Sequence, residues 1–327
     1  MVQMLLIGLG AGACSALLFA SVASGSMLSI GLFYLAPLPI LLAGIVWGHA
    51  IGLTAVGAAA LALLIALGRW YFIAHLVAVG LPSYFLAYFA LLARQGPQKH
   101  QLEWYPVGRL VLWGALLAAG SSVISIPAFG FDLESYRATL RAAFERVLRA
   151  QTATPAGEAL RLPGGNVQAV LDLLVIVIPP SAAVLSMVTS LGNLWLAGRI
   201  ALLSGRLKRP WPDIAGMSLP PGAPLVLVAA VAVSFLDNLA GLAASLLTAT
   251  LLAAYAMLGL AVIHAATRAF PGRALILTAV WLSVFLIGWT ILLIVILGLI
   301  EPFWNLRARA ARRGGPPQLP TSRSSNE

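Results

Sequence analysis

The chain has 327 residues, of which 61% are hydrophobic and only 9% charged, whereas water-soluble domains are about 45 to 50% apolar and about 25% charged. With a mean hydropathy of +0.96, this composition excludes a cytosolic enzyme, a disulfide-stapled secreted domain and a disordered chain. The net charge of +10 would suggest nucleic acid in a soluble protein. Here the basic residues lie in loops and near the C-terminus, where they orient membrane helices and meet anionic headgroups. Membrane lipids are therefore the expected partners, and nucleic acid is not.

In chain order, apolar runs of near-spanning length occupy about residues 4–24, 28–47, 50–68, 71–93, 108–127, 168–192, 242–265 and 274–300. Each supplies close to the 20 or so residues that a membrane-crossing α-helix needs. The runs are continuous and rich in Leu and Ala rather than alternating, which argues against a β-barrel. The expected fold is all-α, a polytopic transmembrane bundle of eight or nine crossings forming one domain over residues 1–305, followed by a basic, disordered tail over 306–327. Ser21-Val22-Ala23 resembles a cleavage site, but no basic residue precedes the first run and it exceeds a signal-peptide core in length. It is read as an uncleaved helix. Cys14, the single cysteine, lies inside this run, so no internal disulfide or multi-cysteine metal site is expected.

Basic loops set the orientation. Arg94 and Lys99 lie in one loop and Arg206, Lys208 and Arg209 in another, and the positive-inside rule puts both in the cytoplasm together with the N-terminus. The RARAARR segment after Leu306 also favours the cytoplasm, which an odd number of crossings forbids. A shorter run from Ala223 to Leu236 offers a solution: as a re-entrant element reaching Ala240 it leaves eight crossings, while as a full span it makes nine. The protein is expected in the inner membrane with both termini inside.

A hydrophilic insert at about 131–166 carries five arginines and four acids. Asp132 is a suitable N-cap, and Leu133, Tyr136, Leu140, Phe144, Val147 and Leu148 recur at helical spacing. Arg137, Arg141, Glu145 and Arg149 line the opposite face. This pattern predicts one extracytoplasmic amphipathic helix, either a surface helix or a lid over a cavity.

Ionisable groups in or beside apolar runs are the best functional pointers, because they are costly in lipid. Asp237, Asn238, Asp172, His75 and Arg69 form the candidate solute-binding set. Asp172 and Arg69 are placed to pair or simply to reach the interface, and His75 suits either binding or helix packing. Gly8, Gly12, Ala16 and Ala20 recur at i,i+4 as a small-residue stripe, which another subunit or another helix of this chain could meet closely. Pro37, Pro39, Pro82, Pro179 and Pro180 interrupt apolar runs and predict bends. No HExxH, GxSxG, metal-spaced histidine pair or phosphate-binding Gly-rich loop is present, so neither catalysis nor a cofactor or metal is expected.

The early PLPILLAGIVWG run, the stretch IPPSAAVLSMVTSLGNLWLAGRIALLSGR with Pro180, Asn193, Arg199 and Arg206, the LGLAVIH segment around Gly259 and the closing GLIEPFWNLRAR together resemble the YybS-like family of bacterial multi-pass membrane proteins, domain-of-unknown-function family 2232. That family tends to carry Asp where this chain has Glu301. It is distantly similar to the substrate-binding membrane components of energy-coupling-factor transporters, whose first helix meets the coupling subunit through a small-residue stripe. The resemblance implies a solute-binding or transport component with a separate energising membrane subunit. The alternative is a scaffold that organises other membrane proteins and needs no polar cavity.

Overall fold

The computed structural model describes residues 2–96, 102–155, 158, 160, 166–268 and 270–313. Lys99 and the tail beyond residue 313 lie outside them. The chain divides into a larger unit, Met1–Pro212 with Ser218–Ala254, and a smaller one, Asp213–Met217 with Tyr255–Glu327.

In the larger unit, α1 (Val2–Ala20) leads through a 3-10 turn to α2 (Met27–Tyr34), α3 (Pro37–Trp47) and α4 (His49–Leu67). Next come α5 (Arg69–His75), a π-helical turn (Leu76–Gly80) and α6 (Leu81–Ala90). A short antiparallel hairpin, β1 (Ala93–Gln95) and β2 (Leu102–Trp104), precedes α7 (Val107–Ser125), α8 (Leu133–Gln151), the 37-residue α9 (Val167–Leu203), α10 (Ala223–Ser234) and the first part of α11 (Leu239–Ala266). Seven helical segments among the described residues are long and apolar enough to cross a membrane: Val2–Ser24, Met27–Trp47, His49–Leu67, Arg69–Ala90, Val107–Ala128, Val167–Leu203 and Leu239–Ala266. The all-α polytopic bundle is thus the observed architecture.

Each proline acts differently. Pro37 lacks the N–H that would bond Phe33, and the run 28–47 divides there into α2 and α3. Side chains from other helices bond carbonyls on either side of the break: Ser15 Oγ donates to the Ala36 carbonyl at 2.8 Å, and Asn193 Nδ2 donates to that of Tyr34 at 2.8 Å. Pro82 likewise cannot bond Ala78. The π turn immediately before it widens the backbone, and Ser121 Oγ donates to the Val77 carbonyl at 2.8 Å. The helix assignment of α9 instead continues unbroken through Pro179 and Pro180.

The small-residue stripe of α1 is filled from within the chain. A Cβ on Gly12 would lie 2.5 Å from the Ala55 carbonyl oxygen and 2.6 Å from Ala58 Cβ, and one on Gly8 would strike Thr54. These contacts advance together along both helices, so α1 and α4 run parallel. Ala16 is buried in the same core, with Ala20 packed at its edge. The expectation of a subunit interface is therefore corrected: the absence of side-chain bulk admits the backbone of α4, which occupies the face a partner would need.

The re-entrant expectation for Ala223–Ala240 is also corrected. Gly108, at the start of α7, backs directly onto the Ser218 carbonyl, while Asp237 pairs with Arg137 of α8, which follows the far end of α7. At about 1.5 Å per residue, the 12-residue α10 falls short of a 30 Å hydrocarbon core. Together with its flanks it still carries the chain from one end of α7 to the other instead of returning to its own side.

In the smaller unit, the second part of α11 is followed by α12 (Arg273–Ile287), α13 (Thr290–Trp304) and α14 (Leu306–Arg313). The run 274–300, expected as one crossing, is interrupted where Gly288 adopts φ +59°. Close approaches of Gly259 to the Ile294 carbonyl and of Gly298 to the Tyr255 carbonyl set α11 and α13 antiparallel. Residues 306–313, expected as the start of the disordered tail, form a helix of strong helix formers, Leu, Ala and Arg.

Candidate functional site

The insert folds as its pattern dictates. Asp132 Oδ1 accepts a hydrogen bond from the Ser135 N–H at 2.8 Å, and Ser135 Oγ accepts one from the Asp132 N–H at 3.3 Å, a reciprocal cap that starts α8. The Ser135 N–H, aided by the Ser135 hydroxyl, holds the Asp132 carboxyl below the usual carboxylate range. Along one face, Tyr136, Leu140 and Phe144 enter a cluster with Ile126, Ala183 and Leu246. Burial pushes the Tyr136 phenol above its ordinary range.

On the neighbouring face, Arg137 and Arg141 stand one helical turn apart. Arg137 donates to Asp237 Oδ1 at 3.0 Å, and Arg141 donates to both Asp172 and Gln168. Arg137, Arg141, Asp172 and Asp237, with Glu134, Val175 and Ile176, line an open cleft of about 770 Å³ between α8, the start of α9 and the turn joining α10 to α11. Both ion pairs are substantially exposed, so each contributes at most about 1 kcal/mol. Burial of Tyr136 and Leu140 contributes about 1.5 to 3 kcal/mol per side chain. The apolar face therefore holds α8 in place, and the arginines determine which acids face the cleft.

Of the candidate residues, only Asp172 and Asp237 meet in this cleft. Asn238 is an N-cap: its Oδ1 accepts from the Gly241 N–H at 3.0 Å. Arg69 follows Gly68, whose φ is +92°, and lies over Trp70, 5.3 Å from the ring centroid. It does not pair with Asp172, whose partner is Arg141. His75 is fully buried, with Nε2 3.0 Å from Ser15 Oγ and its ring edge-on to Phe19. Because the Ser15 proton is directed to the Ala36 carbonyl, His75 must donate through Nε2, which leaves Nδ1 an acceptor without a partner among the described residues. Arg137 and Arg141 line the cleft although the sequence marks them only as part of a polar helix face. Their i,i+4 spacing opposite an apolar stripe was the available signal.

Among the described residues, no group of three or more His, Cys, Asp or Glu could hold a metal ion. The cleft instead presents fixed guanidinium and carboxylate groups side by side, suited to binding charged groups of either sign. No curated protein and no solved structure matches the chain. One family model does, over residues 13–301, which include α8, the cleft and every spanning segment except the start of the first, Val2–Ser24. The chain accordingly belongs to the family described as predicted membrane protein (DUF2232).

Proposed function

We propose that the protein is the solute-binding or transport component of an inner-membrane system and relies on a separate energising subunit. The observation that carries this reading is the 770 Å³ cleft in which Arg137, Arg141, Asp172 and Asp237 are gathered from distant parts of the sequence. A small polar solute bearing an anionic group would be recognised by exchanging places with one carboxylate on an arginine, since guanidinium binds carboxylate and phosphate in the same fork geometry. The proposed orientation puts the arginine-rich end formed by Arg94, Arg109, Arg199, Arg206 and Arg209 in the cytoplasm with the N-terminus. The cleft then faces the other side.

A scaffold reading is favoured by one specific observation: Asp172 and Asp237 are already paired with arginines. Mass spectrometry of small molecules and subunits co-purifying in mild detergent separates the two readings. Solute recovered with the wild type and lost from Arg141→Ala supports binding. Co-purifying membrane proteins without any solute support the scaffold.

A further inference from the structure

The end of the larger unit where α3, α6 and α9 terminate is organised around guanidinium groups laid on aromatic rings. The α9 helix closes with Gly205 at φ +67°, and the Arg206 N–H bonds the Ala201 carbonyl at 2.8 Å, which turns the following loop back over the helix ends. Trp211 thereby lies across Gly198, where a Cβ would be 3.5 Å from its ring, and the Arg199 guanidinium stands 5.0 Å from the Trp211 ring centroid. Arg206 lies 5.5 Å from the centroid of Trp47, the last residue of α3.

These two arginines differ from Arg209 in the same loop. Arg209 donates to the Ala90 carbonyl at 2.8 Å and to that of Tyr105 at 3.4 Å, a structural clasp on the end of α6. Arg199 and Arg206 have neither a side-chain hydrogen bond nor a carboxylate partner among the described residues. A guanidinium stacked on indole keeps its in-plane N–H donors free for an anion, and phosphate fits that fork. Beside them α9 exposes apolar surface: Leu203 is 80% and Trp195 50% accessible. Paired cationic forks next to exposed apolar and indole surface at the end of a membrane helix match a molecule that has a phosphate at one end and acyl chains at the other.

We propose that Arg199 and Arg206, seated on Trp211 and Trp47, form a binding site for the phosphodiester headgroup of an anionic phospholipid. The proposal is independent of whether the cleft at α8 binds a solute.

Native mass spectrometry of the purified full-length protein in detergent, titrated with equal phosphatidylglycerol and phosphatidylcholine, tests it. The wild type is expected to retain phosphatidylglycerol preferentially. Arg199→Gln with Arg206→Gln should reduce that preference by about an order of magnitude. The corresponding double Lys variant, still charged but without the fork, should keep part of it and guards against misfolding of the Gln variant. Equal retention of both lipids by the wild type would overturn the site, as would an unchanged preference in a folded Gln variant. Abolition of the preference by millimolar inorganic phosphate would assign the arginines to a soluble anion and also overturn the proposal.

Discussion

The Ser15 hydroxyl lies 3.0 Å from His75 Nε2 in the interior of the larger unit, while its own proton goes to the Ala36 carbonyl at 2.8 Å. One hydroxyl thus joins α1 both to the break between α2 and α3 and to the residue preceding the π turn. Ser15→Ala would leave a buried imidazole N–H and a buried carbonyl without their shared partner. A loss of about 1 to 3 kcal/mol is expected, measured by thermal unfolding in detergent. An unchanged midpoint would show that this hydroxyl does not bridge the two groups.

Gly12 lies where α1 and α4 make backbone contact. Gly12→Leu is expected to prevent stable folding, because its Cβ would already be 2.5 Å from the Ala55 carbonyl oxygen and Ala55 and Ala59 are fully buried beneath it. Gly12→Ala should cost about 1 to 3 kcal/mol through overpacking. Size-exclusion profiles and unfolding midpoints report both, and a monodisperse, fully stable Leu variant would contradict the packing described.

Asp237 and Asn238 are adjacent but do different work. Asn238→Ala removes the cap of α11 and should lower stability by about 1 kcal/mol. Asp237→Ala frees an exposed arginine and should barely change the unfolding midpoint. If the cleft binds a solute, Asp237→Ala changes ligand-dependent stabilisation where Asn238→Ala does not. Identical ligand responses in the two variants would remove Asp237 from the site.

Cysteine labelling tests the proposed orientation, after Cys14→Ala. Cysteines at Lys208 and Gln151 should label from opposite sides of the membrane, Lys208 from the cytoplasm. Labelling of both from the same side would contradict a larger unit in which α7 and α9 join these two ends.

In the smaller unit, Arg268 donates to Asp213 Oδ1 at 2.6 Å and holds that carboxyl below its ordinary value of 3.8. A lowered folded-state pKa stabilises the folded form above 3.8, and the contribution disappears as the pH falls through the folded value. The pair is more than half exposed, so screening keeps the effect small. Asp213→Asn should unfold slightly earlier than wild type at neutral pH, with the two curves converging in strong acid. A difference that grows on acidification would have the wrong sign.

Composition and periodicity alone determined the solvent and much of the helical content. A chain with so little charge needs lipid around its helices, and apolar runs longer than any strand can only satisfy their backbone as helices. The amphipathic α8 was equally legible, since its cap and its two faces are local in sequence. What the tertiary structure decided depends on pairings across long stretches of chain. Arg137 selects Asp237, 100 residues away, and Asp172 takes Arg141 instead of Arg69. The α1 stripe meets α4 and leaves no room for a partner, because a small-residue face specifies close approach without specifying by whom. Sequence also could not tell that Pro37 would separate two helices while Pro179 and Pro180 leave α9 continuous. Ser15 and Asn193 capture carbonyls beside Pro37, and those partners become neighbours only when the bundle closes.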